Sequence, residues 1–176
     1  EQFNLIKERY NGIIEGLGIQ DFSLDEDFDI IKGAFSHMAG RDYAASRGEF
    51  LNSKVLAKFL GFDFIDAAKY IFFNERGEFD WDKTSEKLAP KLAKSEYAVI
   101  PGFYGSMPNG TIKTFSRGGS DVTGSLVAKA IHADIYENWT DVSGILMADP
   151  RIVDDPQAIP EVTYDELREL SYSGAQ

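Results

Sequence analysis

The chain reads Phe-Ser-Arg-Gly-Gly-Ser-Asp-Val-Thr-Gly-Ser from Phe115 to Ser125, and no other stretch says as much about its fold. A strand-like run ends here in Arg117 and two glycines, and an apolar-periodic helix begins directly after Ser120 and Asp121. This layout places backbone N–H groups, a helix N-terminus, a fixed cation and a carboxylate close together, which suits an anionic ligand such as phosphate or a carboxylate. On these residues alone, a plain strand-to-helix turn with Asp121 complementing the helix dipole explains the pattern equally well.

The composition is that of a single soluble globular domain. Of the 176 residues, 43% are hydrophobic and 27% are charged, which is ordinary for such a domain. The net charge of −11 argues against a nucleic-acid or membrane partner, so local cations, metal ions or backbone dipoles must hold any anionic ligand. The chain has no cysteine, which excludes disulfides and thiolate metal sites and favours a cytoplasmic protein. We find neither a signal peptide nor a run of 18 apolar residues.

Helical and strand-like patterns alternate through the second half of the chain. The periodicity predicts helices over residues 1–17, 28–38, 43–60, 84–94 and 163–170 and after residue 121, and strands within 62–73, 97–101 and 134–139. Pro108-Asn109-Gly110 predicts the turn of a β-hairpin near 103–115. Gly61 is expected to end the third helix, and Thr84 or Asp82 to cap the fourth. Thr163, with Glu166 three residues later, is expected to cap the last helix through a capping box. The pattern predicts an α/β domain with a mostly parallel central sheet and helices on both faces.

Catalysis centred on histidine is not expected. The phosphate-binding loop, dinucleotide, zinc-protease and protein-kinase motifs are all absent from the sequence. The two histidines, His37 and His132, are far apart in sequence, and each fits a surface or helix-side position better than a catalytic one.

Polar clusters at the ends of predicted elements are the candidate sites. Gly48, in the cluster 46–49, costs its helix about 1 kcal/mol relative to Ala, and a close approach of a ligand or neighbouring backbone would justify it, although a solvated charged turn explains these residues slightly better. Thr140-Asp141 ends a predicted strand, at the usual ligand edge of a parallel sheet. Asp149-Pro150-Arg151 offers a guanidinium donor fork in a loop. Each cluster also fits a solvated turn, a cap or a surface arginine, but their recurrence at strand ends favours a site.

Taken together, these stretches resemble the aspartate kinases, which have the amino-acid kinase fold. The resemblance covers nearly the whole chain and is most specific between Val99 and Arg151. It rests on Ser46-x-Gly48-Glu49, Gly102-Phe103-x-Gly105-Ser106, Ser116-Arg117-Gly118-Gly119-Ser120-Asp121-x-Thr123, Trp139-Thr140-Asp141-Val142-x-Gly144, Ala148-Asp149-Pro150-Arg151 and Tyr164-Asp165-Glu166-Leu167-x-Glu169-Leu170. The fold implied is a three-layer α-β-α sandwich with a mostly parallel central sheet.

The resemblance implies ATP-dependent phosphorylation of the side-chain carboxylate of L-aspartate to 4-phospho-L-aspartate, the first step toward lysine, threonine and methionine. A carboxylate is ionised at neutral pH, so this chemistry needs no general base. It needs positioning and charge neutralisation, which basic side chains and Mg²⁺ supply. The implied cofactors are therefore ATP and Mg²⁺, with the metal held mainly by the nucleotide phosphates and by no protein ligands.

The resemblance also assigns roles to residues. Glu49 would hold the ammonium group of the substrate and Arg117 its α-carboxylate through a bidentate fork. Phe103 and Ser120 would shape the aspartate pocket. Catalysis would depend on Arg117 and on Asp121, which would orient a catalytic lysine and the attacking carboxylate. The nucleotide would contact four further residues: Thr140, Asp141, Leu146 and Arg151.

The sequence departs from the family pattern in several places. The Lys-Phe-Gly-Gly strand expected at the start and the regulatory ACT domains expected at the end are not in residues 1–176, so we expect a partial catalytic domain that is inactive alone. Leu146 stands where an aromatic is usual, and Gln176 where a lysine is usual. We expect the full-length protein to be a cytoplasmic homo-oligomer. The alternatives are a glutamate, acetylglutamate, carbamate or uridylate kinase, or a non-catalytic nucleotide or amino-acid sensor.

Overall fold

The computed structural model describes residues 2–116, 118–139, 144–149 and 151–172, and side chains as far as residue 170. In chain order its elements are α1 (Gln2–Gly16), α2 (Asp25–Ser36), α3 (Arg41–Leu60), β1 (Asp63–Phe64), a 3₁₀ turn (Ala67–Lys69), α4 (Trp81–Leu92), β2 (Ala98–Val99), β3 (Tyr104–Ser106), β4 (Ile112–Thr114), α5 (Gly119–Ala130) and α6 (Tyr164–Tyr172). They fall into two compact units, residues 1–136 and 137–176.

The first three helices pack around one apolar cluster in the first unit. Their apolar residues recur three or four positions apart, so each helix turns one stripe inward. The buried members of the cluster are Ile14, Leu24, Phe28, Ile31, Leu51 and Val55. The three predicted helices are confirmed, although α2 begins at Asp25, three residues earlier than expected. As predicted, α3 ends at Gly61, which takes the left-handed conformation (φ 71°) favoured by glycine after a helix.

A β-α-β unit follows the helices. Strands β1 and β2 pair in parallel, with Asp63 opposite Ala98 and Phe64 opposite Val99. Parallel neighbours need a long crossover, and α4 lies between these two strands in the chain. The parallel strand predicted within 97–101 is therefore confirmed.

The predicted β-hairpin is also present. Strands β3 and β4 are antiparallel, with Tyr104 opposite Thr114 and Ser106 opposite Ile112. The N–H of Gly110 (φ 82°) closes the turn by donating to the Met107 carbonyl at 2.9 Å. The hairpin carries the chain directly to the start of α5.

The predicted cap of α4 is wrong. Asp80 is the capping residue, because its carboxylate accepts a hydrogen bond from the N–H of Lys83 at 3.0 Å. Thr84 is instead completely buried within the helix, where its Oγ1 accepts the N–H of Phe72 at 3.0 Å. Thr84, Asp82 and Asp80 are all residue types suited to capping, so only the packing of α4 shows which one does it.

The strand predicted over residues 134–139 is also wrong. The backbone there is irregular and every side chain is exposed, including Ile135 (77% exposed) and Trp139 (88% exposed). A strand needs a hydrogen-bonding neighbour, and within the described residues none pairs with this segment. The apolar residues of this segment suggested a strand, but the segment is an exposed loop.

The second unit contains a bridged loop and one helix. Leu146 and Ala158 form an isolated antiparallel bridge. At the start of α6, Oγ1 of Thr163 accepts the N–H of Glu166 at 3.3 Å, and the carboxylate of Glu166 accepts the N–H of Thr163 at 2.8 Å. This reciprocal capping box was predicted from the Thr163–Glu166 spacing, and its hydrogen bonds lower the pKa of Glu166.

Candidate functional site

The loop after β2 lies against the first turn of α5. A Cβ atom on Gly102 would lie 3.0 Å from both Cα and Oγ of Ser120. A Cβ atom on Gly119 would lie 2.6 Å from Cβ of Phe103 and 2.9 Å from its Cα. Only a hydrogen atom fits at Gly119, and a methyl group at Gly102 would require Ser120 to move by a few tenths of an ångström. The two glycines therefore allow the loop that carries Phe103 to lie close to the turn that carries Ser120.

Phe103 has an uncommon backbone conformation, with φ at 61°. Both of its backbone polar groups are hydrogen-bonded. Its N–H donates to Oγ1 of Thr123 at 3.0 Å, and its carbonyl accepts the N–H of Phe115 at 2.8 Å. The surrounding residues therefore determine the conformation of this loop, as a costly φ value requires.

Helix α5 presents its N-terminus at the same place. Gly118, with φ at 57°, precedes the helix, and its carbonyl accepts the N–H of Val122 at 2.9 Å. The N–H groups of a helix's first turn have no carbonyl partner within the helix and can bind an anion. Asp121 is exposed in this first turn, where the helix dipole stabilises the negative charge of a carboxylate. The geometry of residues 118–121 is thus compatible both with an anion site and with a plain strand-to-helix turn.

Glu49 is exposed on α3. It shares a helix face with Ser46 and Asp42, three and seven residues earlier, and seven residues advance about 10 Å along a helix. The carboxylate of Asp42 accepts the N–H of Thr114, at the end of β4, at 3.1 Å. This hydrogen bond ties the face that carries Glu49 to the hairpin that leads into α5.

No neighbouring backbone among the described residues approaches Gly48 closely. A Cβ atom placed on Gly48 meets nothing within 4 Å, because this position faces open space. The Gly48 carbonyl instead accepts a hydrogen bond from the Tyr10 hydroxyl at 2.9 Å. Burial and the charge of Glu49 together raise the pKa of that hydroxyl.

Arg47 forms an arrangement that the sequence analysis missed. Its guanidinium carbon lies 4.5 Å from the ring centroids of both Tyr43 and Phe50 and 5.4 Å from that of Tyr104. Its donors reach Oγ of Ser46 at 2.9 and 3.2 Å. Tyr43 lies four positions before Arg47 and Phe50 three positions after it, so all three share one face of α3. This spacing in the sequence could have indicated that the arginine contacts both rings.

Tyr104 continues this buried cluster. Its hydroxyl donates to Oδ1 of Asp66 at 2.9 Å. Burial, followed by the negative charge of Asp66, raises the pKa of Tyr104 far above its ordinary value. Tyr104 is therefore a neutral, buried side chain at the start of β3, directly after Phe103.

Two predicted nucleotide contacts lie in the second unit. Leu146 is partly buried and belongs to the bridge with Ala158. Arg151 is turned toward Asp149: its Nη2 donates to Oδ2 at 2.6 Å and its Nε to Oδ1 at 3.0 Å. These bonds lower the pKa of Asp149 to about 2. A phosphate binding to Arg151 would have to compete with this carboxylate.

The remaining predicted residues, Arg117, Thr140 and Asp141, lie outside the described residues, as does Gln176. Within the described ranges, no group of three or more Asp, Glu or His side chains could hold a metal ion. Among the same residues, no helix combines the length and apolar character that crossing a membrane requires.

The sequence profile of the amino acid kinase family matches residues 6–176. The chain belongs to the amino acid kinase family. The chain is 33% identical over 183 residues to aspartokinase 3 of Bacillus subtilis, covering 96% of the chain and 40% of that protein. It is 30% identical over 198 residues to the chloroplastic aspartokinase 1 of Arabidopsis thaliana, covering 100% of the chain and 35% of that protein. The chain thus spans at most 40% of the length of these two curated relatives.

Two solved structures of aspartate kinases also match the chain. The aspartate kinase of Clostridium acetobutylicum superimposes with a TM-score of 0.90 and 55% identity, over 99% of this chain and 40% of that one. Aspartokinase III of E. coli, in complex with aspartate and ADP, superimposes with a TM-score of 0.82 and 28% identity, over 98% of this chain and 43% of that one. These matches confirm the α/β class, the amino-acid kinase fold and the resemblance to aspartate kinases.

Proposed function

We propose that the protein containing this chain phosphorylates the side-chain carboxylate of L-aspartate with ATP. The observation that carries the proposal is the meeting of the Phe103 loop with the N-terminus of α5, at the residues that resemble the aspartate pocket of aspartate kinases. The superposition on an aspartokinase that binds aspartate and ADP supports it. In this proposal, residues 1–176 are part of the catalytic domain.

The amino acid would be held at its α-carbon end by two opposite charges. Glu49 would accept the ammonium group, and the guanidinium of Arg117 would bind the α-carboxylate through two parallel hydrogen bonds. Phe103 and Ser120 would form the walls around the side chain. Glu49 on α3 and Ser120 on α5 are linked through the hairpin, because Asp42 of α3 accepts the N–H of Thr114 and β4 leads into α5. Their spacing therefore depends on rigid elements rather than on a free loop.

The reaction would be a direct displacement. One oxygen of the substrate's side-chain carboxylate attacks the γ-phosphorus of ATP, a new P–O bond forms, and the bond to the β,γ-bridging oxygen breaks to release ADP. The attacking carboxylate is already ionised at neutral pH, so no side chain has to remove a proton. The first-turn N–H groups of α5 favour negative charge next to them, and Asp121 would orient the reacting groups.

The nucleotide would be bound by Thr140, Asp141, Leu146 and Arg151. Mg²⁺ would neutralise charge on the transferring phosphate and would be held mainly by the nucleotide phosphates. Lysine, threonine and methionine synthesis would consume the acyl phosphate. We further propose that the full-length protein is a cytoplasmic homo-oligomer.

The decisive experiment assays the full-length protein with ATP and, in turn, aspartate, glutamate, acetylglutamate, carbamate and UMP. ADP release is followed by a coupled assay, and hydroxylamine traps an acyl phosphate as its hydroxamate. We expect aspartate to be preferred and to yield the hydroxamate. Preference for another acceptor would assign the protein to a different branch of the family, and ligand binding without turnover would indicate a sensor.

Glu49→Gln tests the substrate assignment within the same assay. Loss of one charge-assisted hydrogen bond typically costs about 1.5–3 kcal/mol, so we expect KM for aspartate to rise by about 10- to 100-fold. KM for ATP should stay within about twofold of wild type, since Glu49 is assigned to the amino acid alone. Glu15→Gln, an exposed neutralisation on α1, is the matched control and should change neither constant. Equal losses for both substrates would contradict the assignment.

A further inference from the structure

We propose that Thr123 is a positioning residue that holds the loop bearing Phe103 in its left-handed conformation. Through that loop it would set the shape of the amino-acid pocket. This inference rests on the function proposed above for the role of the pocket, but the hydrogen bonds that carry it do not. Thr123 lies in α5 and is only 3% exposed, and its hydroxyl is the group that matters.

The Thr123 hydroxyl connects two elements that are 20 residues apart in sequence. It donates to the carbonyl of Gly119 at 2.8 Å, one turn earlier in α5. It accepts the N–H of Phe103 at 3.0 Å. Because the donated proton points back along the helix, a lone pair remains to face the loop. One buried hydroxyl thus joins the start of α5 to the residue packed against it.

Phe103 needs such a partner. A bulky residue with φ at 61° lies in a sparsely populated region, and the conformation persists only where the surroundings impose it. Its carbonyl is fixed by Phe115 and its N–H by Thr123. Without the hydroxyl, this half-buried N–H loses its acceptor, and rotation about φ is the direct way for it to find water. That rotation would move the Phe103 ring relative to Ser120.

The test compares Thr123→Val and Thr123→Ser in the full-length protein. Valine keeps the shape of threonine and removes the acceptor, whereas serine keeps the hydroxyl. Thr84→Val is a matched control, because Thr84 is also buried in a helix and its Oγ1 also accepts a loop N–H, from Phe72 at 3.0 Å, outside the candidate site. Both valine variants lose one buried acceptor, so a general loss of stability affects them alike.

Two measurements are made on each variant. We expect Thr123→Val to speed hydrogen exchange of the Phe103 amide by about tenfold or more, as one lost hydrogen bond implies. We expect it to raise KM for aspartate by about tenfold while KM for ATP stays within about twofold. Thr123→Ser should restore both values, and Thr84→Val should leave the aspartate KM unchanged.

The outcomes separate this inference from the proposed function. Unchanged exchange at Phe103 in Thr123→Val overturns the inference, whatever the enzyme phosphorylates. Faster exchange with an unchanged aspartate KM overturns the positioning role and leaves only a structural hydrogen bond. If the wild type phosphorylates a different acceptor, the proposed function fails, and the KM for that acceptor replaces the aspartate KM in the same comparison.

Discussion

Replacing Gly119 with alanine places one methyl group where two elements meet. The added Cβ would lie 2.6 Å from Cβ of Phe103, 2.9 Å from its Cα and 2.9 Å from Cβ of Phe115. Favourable carbon–carbon contacts lie at about 3.5–4.0 Å, so each neighbour would have to retreat by roughly 1 Å. All three atoms belong to or adjoin the backbone and cannot swing aside as the end of a long side chain can. The loop carrying Phe103 must therefore shift.

The magnitude follows from two opposing effects. Alanine stabilises a helix by up to about 1 kcal/mol relative to glycine. Forcing an extra methyl group into a packed site typically costs about 1–3 kcal/mol. We expect steric overlap to prevail, because Gly119 begins the helix, where the propensity gain is smallest. For a domain of this size, a net loss of about 1–2 kcal/mol lowers Tm by roughly 2–8 °C.

The assay is calorimetric unfolding of the full-length protein, combined with the aspartate and ATP KM values. Gly12→Ala is the matched control, because Gly12 lies in the exposed interior of α1 and an added Cβ there meets nothing within 4 Å. It should raise Tm by about 2–4 °C and leave both KM values alone. We expect Gly119→Ala to lower Tm and to raise the aspartate KM selectively. If Gly119→Ala behaved like Gly12→Ala, the close contact with Phe103 would be refuted.

Two further predictions concern the buried cation and the second unit. Arg47→Met should lower the free energy of unfolding by about 1–3 kcal/mol in urea titrations, because it removes the cation that lies between the rings of Tyr43 and Phe50; an unchanged urea midpoint would contradict this. In Arg151→Gln, the pKa of Asp149 measured by NMR should rise from about 2 toward its ordinary 3.8. Because folding lowers the pKa of Asp149, its ion pair with Arg151 stabilises the protein above pH 3.8, and this stabilisation is lost as the pH falls toward 2. Between pH 3.8 and 2, the free energy of unfolding should therefore fall less in Arg151→Gln than in the wild type.

Sequence patterns predicted the elements whose signals are local. The turn at residues 108–110 and the capping box at Thr163 and Glu166 depend on neighbouring residues, and both are present as expected. The strand predicted over 134–139 failed because strand formation depends on a partner elsewhere in the chain. The cap of α4 failed for a related reason, since Thr84 is used by Phe72 rather than by its own helix end.

The sequence likewise indicated some features of the candidate site and not others. Ser120 and Asp121, at the start of a predicted helix, indicated a place suited to an anion. Their spacing from Phe103 resembles the aspartate kinases, and the amino acid kinase family is confirmed. The sequence could not show that Gly119 has no room for a methyl group or that Thr123 bonds to the Phe103 backbone.

Local sequence patterns indicated the succession of elements and the residue types at their ends, since backbone preferences and apolar periodicity act over a few neighbouring residues. Which of those residues touch depends on the packing of the elements against one another. The aromatic contacts of Arg47 with Tyr104 and the hydrogen bond from Phe103 to Thr123 join residues far apart in the chain. Such contacts depend on how the helices and the hairpin pack together, and local sequence patterns do not specify which side chains meet in that packing.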